Sequence, residues 1–467
     1  MRMPTPTELC SAAARPLREA LSRHGLFTPH QAASRRWAMG CVSLEVTQRC
    51  NLDCSLCYLS EHAEAVVDFP LEEIFRRIDM IADQYGRDCD VQVSGGDPTL
   101  RDHDELEQIV RRIAQRGMRS SLFTNGILAS RSLLQRLRVA GLNDVAFHVD
   151  LTQGRQGYAN EAELNTLRLA YIDRARGLGL NVMFNTTVFA ANVADVPMLV
   201  RFFAEHSEVV RLASFQMQAD TGRGVLSGRP EGLTQTHMMG LIEQGARTAL
   251  NWDALLGGHP SCNRYATALV LGTGSQVHLH DLLEDGEFIA RAMRETAGLS
   301  VPRQHIWQAA CRWAGAVARR PGLAWAGARW LASLVWRLRK QWSMAFHGPG
   351  PRKISFFIHN FMHAQDLDPA RIDTCVFMAA GPTGMVPMCE FNARRDVHLL
   401  RPLTLADGST WQPLQSALRD APTARSDAQG LVRYPIKFLK GRSRHRAMAA
   451  RRSATSAATQ PPPLSPP

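Results

Sequence analysis

The chain has no stretch of about 20 uninterrupted apolar residues, so no helix is expected to span a membrane. Residues 1–40 hold Arg and Pro but no apolar core of signal-peptide length, so no secretion signal is expected. Cysteine is too sparse for a small secreted disulfide scaffold: ten in 467 residues, at 10, 41, 50, 54, 57, 89, 262, 311, 375 and 389. Three of the ten cluster tightly, which points instead to metal binding in a reducing cytosol. Acid is missing from a long tract as well. No Asp or Glu occurs from Thr296 to Gln365, whereas ten Lys or Arg do.

What is present is an ordinary globular composition, 45% hydrophobic and 21% charged, with a net charge of +11. That charge leaves nucleic acid, anionic lipid and an acidic cofactor as candidate partners. The length allows one large α/β domain and a smaller companion. Residues 1–40 read as a helical leader, amphipathic around Leu17, Leu21 and Leu26. From residue 42 short β-type runs alternate with helical patterns. Strands are expected at 42–47, 90–94, 119–124, 144–149, 180–188 and 209–216, with helices near 71–85, 103–116, 130–140, 160–178 and 196–206. Six such units imply a parallel sheet, a partial (β/α)6 barrel of the TIM type or a doubly wound sheet, with chemistry at the carboxyl ends of its strands.

The expected organisation is a leader at 1–40, a core at 41–225 and a connecting region at 226–302 containing Cys262. A basic Trp-rich segment follows at 303–346, a cysteine-bearing C-terminal module at 347–420, and a tail at 421–467. The tail is Arg-, Ser- and Pro-rich and is expected to be disordered from about 441.

The strongest chemical signal is Cys50-Asn-Leu-Asp-Cys54-Ser-Leu-Cys57-Tyr58, just past the first strand. Three thiolates suit soft iron. Three ligands for a four-iron cluster leave one iron without a protein ligand, open to the amino and carboxylate groups of S-adenosylmethionine (SAM). One electron from the cluster then cleaves the sulfonium and yields a 5′-deoxyadenosyl radical. The competing reading is a zinc site or three unpaired thiols; zinc usually takes four closed ligands from two pairs, and no second Cys-x2-Cys pair occurs.

In spacing, position and the aromatic Tyr58, this loop resembles that of the radical SAM superfamily. A second match is Ser94-Gly95-Gly96-Asp97-Pro98, similar to the superfamily's Gly-Gly-Glu-Pro element that meets the SAM amino group, with Asp97 in place of Glu. The resemblance covers residues 42–216. It implies a 4Fe–4S cluster on Cys50, Cys54 and Cys57, with SAM held by Gly95, Gly96, Asp97 and Pro98. Polar strand ends would complete the site: Thr124 and Asn125, His148 and Asp150, Asn185, and Gln216. Their bland reading is turn and capping chemistry.

A narrower resemblance rests on His259-Pro-Ser-Cys262-Asn263, Phe357-Ile-His-Asn-Phe-Met362, Asp373-Thr-Cys375 and Gly384-Met-Val-Pro-Met-Cys389-Glu-Phe-Asn392. This order is similar to the tetraether-lipid-synthase-like branch, which functionalises long alkyl chains and carries auxiliary iron centres. It implies a second cluster on Cys262, Cys375 and Cys389, with Cys311, Cys41, His259 or no protein group as fourth ligand. Rubredoxin-like N-terminal cysteine pairs are missing. Buried structural cysteine is the alternative.

Six of the nine tryptophans fall in 303–346, among Leu, Ala and Arg. Such a segment can lie in a membrane interface, with Arg319, Arg320, Arg329, Arg337 and Arg339 facing anionic phosphates, each basic residue worth roughly 1 kcal/mol. A core helical hairpin broken at Pro321 and an RNA-binding patch are the alternatives, with nucleic acid the least favoured.

The expected function is therefore hydrogen abstraction from a hydrophobic, lipid-derived substrate, for carbon–carbon bond formation or alkyl-chain modification. The electron would come from a partner such as flavodoxin or ferredoxin. The expected location is the cytoplasm, peripheral on the inner face of the membrane. A radical SAM peptide-modifying enzyme and a non-catalytic iron–sulfur or nucleic-acid-binding protein are the rivals.

Overall fold

The computed structural model describes residues 14–27, 40–86, 89–226, 228–295, 306–341, 343–344, 350–414, 440–442, 444–446 and 448. Most of the expected leader and tail lie outside the described residues, as do Cys10, Trp342 and the side chains of Trp307 and Trp313.

Six parallel strands form where the alternating patterns place them: β1 (Cys41–Thr47), β2 (Asp90–Gly95), β3 (Arg119–Thr124), β4 (Asp144–His148), β5 (Asn181–Val188) and β6 (Val210–Met217). Helices Leu71–Tyr85, His103–Gln115, Arg131–Ala140, Glu161–Ala175 and Val196–Glu205 connect them. Side chains alternate across a strand, and that alternation sorts the chemistry. On β1, Val42, Leu44 and Val46 enter the apolar core, whereas Ser43 and Glu45 face the interior cavity. On β2, Val91 and Val93 join the same core while Gln92 and Ser94 face inward. The inner face is therefore polar, and the stabilising burial lies between strands and helices, roughly 1.5–3 kcal/mol for each large apolar side chain. Helix starts are set by side-chain caps: Asp102 accepts from the Asp104 and Glu105 amides, Ser130 from Leu133, and Asn160 from Glu163.

The sheet does not stop at six strands. After β7 (Asn263–Leu271) and β8 (His278–Asp281), β9 (Arg352–His359) pairs parallel with β6, and β10 (Phe377–Ala380) pairs parallel with β1. With β11 (Met385–Pro387), the order is β11-β10-β1-β2-β3-β4-β5-β6-β9-β7-β8. Rings on the two flanking strands meet: Phe357 and His359 of β9 lie 5.9 and 5.0 Å from Phe377 of β10. The sheet thus bends into a partial barrel whose gap is spanned by aromatic contact.

The basic segment forms helices Ile306–Ala318 and Pro321–Leu338, the second opening with proline in its first turn. Leu334 and Leu338 pack on Leu271. Trp325 and Trp336 are 70% and 64% exposed, and Leu331 and Val335 are exposed beside them. Among the described residues no helix is long and apolar enough to cross a membrane.

Candidate active site

The cysteine loop leaves the carboxyl end of β1 and is pinned by backbone hydrogen bonds from two directions. Ser55 N donates to Thr152 O at 2.8 Å, and Val225 N and Gly224 N donate to Ser55 O and Cys57 O at 2.8 and 3.1 Å. Residues of the expected tail also make contacts here: Gly441 N donates to Asp53 Oδ1 at 2.9 Å, and Lys440 Nζ to Leu52 O at 3.2 Å.

Cys50, Cys54 and Cys57 line a cavity of about 220 Å3 inside the partial barrel. Gly95, Gly96, Thr124, Asn125, His148, Asn185 and Gln216 line the same cavity. The two glycines are required. Gly95 has φ +132°, and a Cβ there would lie 1.9 Å from Thr47 O; at Gly96 it would lie 2.0 Å from Arg49 O. Tyr58 Oη donates to Gly95 O at 2.7 Å, tying the two loops together.

Three expected residues stand behind the cavity wall. Asp97 is fully buried, and its carboxylate accepts from Thr99 N, Thr99 Oγ1, Thr124 Oγ1 and Asn125 N at 2.5–3.0 Å. It therefore holds Thr124 and Asn125 in place instead of presenting an acceptor to the cavity. Pro98 opens the buried turn Pro98–Leu100. Asp150 is fully buried and lies 2.7 Å from His148 Nε2, while accepting from Thr152 N and Thr187 N at 2.9 and 2.7 Å. Burial pushes its carboxyl up, but His148 together with the Thr152 and Thr187 hydrogen bonds outweighs that and holds it below the usual range. The arrangement orients the imidazole of His148 on the cavity wall.

The donor set fits an iron–sulfur cluster. Burial pushes the Cys50 thiol up to about 11 and Cys54 well above its ordinary range, with the charges of the neighbouring cysteines adding to both. Such thiols become thiolates there when a metal takes the charge. Among the described residues no three His, Cys, Asp or Glu side chains converge on one ion. The donor set fits by its chemistry: a 4Fe–4S cluster takes three thiolates on separate irons, whereas structural zinc takes four closed ligands.

Three further cysteines lie on segments beside the flanking strands. Cys262 precedes β7, Cys375 precedes β10 and Cys389 lies in helix Met388–Ala393 after β11. Burial pushes Cys375 up to about 12, with Cys389 and Cys262 adding to the rise, so the three lie within electrostatic reach. Arg371 Nε donates to Cys262 Sγ at 3.3 Å. Of the alternatives for a fourth ligand, Cys41 is buried on β1 and Cys311 is exposed on helix Ile306–Ala318.

Several cavity residues were not foreseen: Glu45, Gln92, Gln153, Phe361, Met388 and Asn392. Glu45 and Gln92 could have been found from the alternation of β1 and β2. Phe361, Met388 and Asn392 lie beyond β9 in the stretches that carried the narrower resemblance, but nothing local placed them at this cavity.

Residues 44–203 match the family model described as the radical SAM superfamily. Among curated proteins, 7,8-dihydro-6-hydroxymethylpterin dimethyltransferase of Methanocaldococcus jannaschii is 28% identical over 188 residues, 39% of this chain and 37% of that protein. PqqA peptide cyclase of Granulibacter bethesdensis is 27% identical over 161 residues, 33% of this chain and 41% of that protein. The matched part thus spans less than half the length of these relatives. Among solved structures, Streptococcus suis SuiB bound to S-adenosylmethionine aligns with a TM-score of 0.35 and 16% identity, over 43% of this chain and 46% of that one. The matched span contains the cysteine loop, the glycine turn and the ends of β2 to β5, and on that basis residues 44–203 form a radical SAM superfamily domain.

Proposed function

We propose that the chain binds SAM against a 4Fe–4S cluster on Cys50, Cys54 and Cys57 and removes a hydrogen atom from a hydrophobic, lipid-derived substrate, for carbon–carbon bond formation or alkyl-chain modification. The observation that carries the reading is the opening of all three cysteines onto one cavity with Gly95, Gly96 and the polar ends of β3 to β6. When bound, the cluster and SAM supply one-electron cleavage of the sulfonium to a 5′-deoxyadenosyl radical. The protein's own part is to orient and to exclude water and stray hydrogen donors. Gly95 and Gly96, packed on the Thr47 and Arg49 backbone, would meet SAM through their own backbone on the cavity wall. Thr124 and Asn125, fixed by Asp97, and Asn185 and Gln216 offer hydrogen bonds to its polar groups. His148, oriented by Asp150, is placed to accept a proton.

The lipid part of the proposal is supported by the exposed indoles of helix Pro321–Leu338 beside Arg329 and Arg339, a composition suited to an anionic inner-membrane surface. Cys262, Cys375 and Cys389, on segments beside β7, β10 and β11, would hold a second cluster. A small acidic electron carrier such as flavodoxin or ferredoxin would supply the electron. A peptide substrate is the second reading, favoured by the relative named as a peptide cyclase.

Anaerobic reconstitution tests the proposal, with iron counted per chain and 5′-deoxyadenosine assayed under reduction against lipid extracts and peptides. Lipid-dependent 5′-deoxyadenosine is the expected result. Protein that shows no four-iron spectroscopic signature, or that fails to cleave SAM when reduced, overturns it.

A further inference from the structure

The loop after β6 carries a cation that the proposed mechanism does not use. Arg223 is completely buried, and one of its terminal nitrogens donates to Glu64 Oε1 at 3.0 Å. Its Nε and Nη2 groups are buried too and meet no acceptor among the described residues. Buried donors of a charged group are costly to leave unmatched, so such an arrangement implies an acceptor that the protein itself does not provide.

The position of Arg223 shows where that acceptor lies. Arg223 N donates to Leu59 O at 2.8 Å and Gly224 N to Cys57 O at 3.1 Å, which lays the residue alongside the second half of the cysteine loop. Gly222 lets this approach happen, since a Cβ there would lie 2.4 Å from the Tyr58 carbonyl carbon. From the outer side Arg442 N donates to Arg223 O at 3.0 Å, and Lys440 Nζ sits 3.1 Å from Glu64 Oε1. Burial works against the charge of Arg223, yet the nearby Cys57, ahead of Glu64, holds its proton more firmly than usual. A guanidinium cannot shed its charge to escape burial.

We propose that Arg223 is a positioning residue of the cluster, donating its two unmatched N–H groups to the sulfur of the group that Cys50, Cys54 and Cys57 hold, and raising that group's reduction potential through its fixed charge. The proposal rests on the reading of those three cysteines as cluster ligands. Hydrogen bonds to sulfur and local net charge are the levers by which a protein sets such a potential. Glu64 moderates the effect by sharing the guanidinium.

The test is a redox titration of the reconstituted full chain followed by electron paramagnetic resonance, comparing wild type with R223Q, R223K and E64Q. R223Q is expected to make reduction about tenfold less favourable, a drop of about 59 mV for one electron. R223K, which keeps the charge but loses the planar donors, should fall by less, and E64Q should rise. R223Q with normal iron content and an unmoved midpoint overturns the proposal. Should R223Q not load iron, R223K and E64Q decide, and unmoved midpoints in both overturn it. Failure of all three to load while their circular dichroism stays native also overturns it, since the side chain would then serve loop folding alone. Wild type without iron defeats the cluster reading itself, which the iron count reveals before any titration.

Discussion

One terminal nitrogen of Arg395 meets both carboxylate oxygens of Glu45, at 2.6 and 2.7 Å, across 350 residues of sequence. Both side chains are buried, and the guanidinium also lies over the Tyr58 ring, 4.7 Å from its centroid. The pair fastens the C-terminal helices to the inner face of β1 beside the cysteine loop. Removing one partner leaves an uncompensated buried charge, so R395M should cost about 3–5 kcal/mol in denaturant unfolding. The double variant E45Q/R395M should recover most of that loss. Equal destabilisation of single and double variants would show that the pair does not join the two regions.

Gly95 offers a second measurement. G95A places a Cβ against Thr47 O in a backbone conformation disfavoured for other residues. It should lower stability by more than the roughly 1–3 kcal/mol of conformational strain alone, and weaken SAM binding at least about tenfold (1.4 kcal/mol) by calorimetry. Gly154 is the control: at its φ of +57° a substituted residue would be strained, but an added Cβ would meet nothing within 4 Å. G154A should therefore lose only the strain and leave SAM binding unchanged.

Six strands of the core were legible as short β-type runs of five to eight positions set between longer helical patterns, although helix Glu161–Ala175 has no clear amphipathic face. The glycine turn was legible for a related reason, since two adjacent glycines after a strand imply close backbone approach. The role of Asp97 was not. Its place in a binding motif suggested a ligand, but whether a carboxylate faces a cavity or its own turn depends on Thr99 and Thr124, which only the fold brings near. Strands β9 and β10 were not among the expected strands, and nothing in their periodicity says that they flank β6 and β1. Arg223 and Arg395 were hidden for the same reason: their partners lie 159 and 350 residues away.

The two groups of cysteines should separate in a metal assay. C50A, C54A and C57A should each abolish 5′-deoxyadenosine formation and lower iron by about four per chain. C375A and C389A should lower iron without removing the cluster on the β1 loop. Iron content unchanged in C375A would remove that residue from the ligand set.

Helix Pro321–Leu338 presents two faces that substitution can distinguish. W325A/W336A alters exposed residues and should change stability by less than about 0.5 kcal/mol, while reducing sedimentation with anionic vesicles about tenfold. L334A, on the packed face, should cost about 2–5 kcal/mol and leave vesicle binding of the folded protein intact. Unchanged vesicle binding in the double tryptophan variant would rule out the membrane face.

His359 predicts a dependence on acidity. Its ring stacks on Phe361, with centroids 5.2 Å apart and planes within 3°, and it touches Phe357 and Phe377 as well. Burial pushes its imidazole down to about 3. The unfolded chain's imidazole titrates near ~6.5, so between these two values the unfolded state binds the extra proton and the folded state does not. Stability is therefore expected to fall as pH drops from about 6.5 toward 3, and to be unaffected by this residue above that window. H359F keeps a ring in the aromatic bridge between β9 and β10 but removes the titration. Denaturant midpoints measured at pH 7 and pH 4.5 should drop more in wild type than in H359F. An equal drop in both proteins would place the acid sensitivity elsewhere.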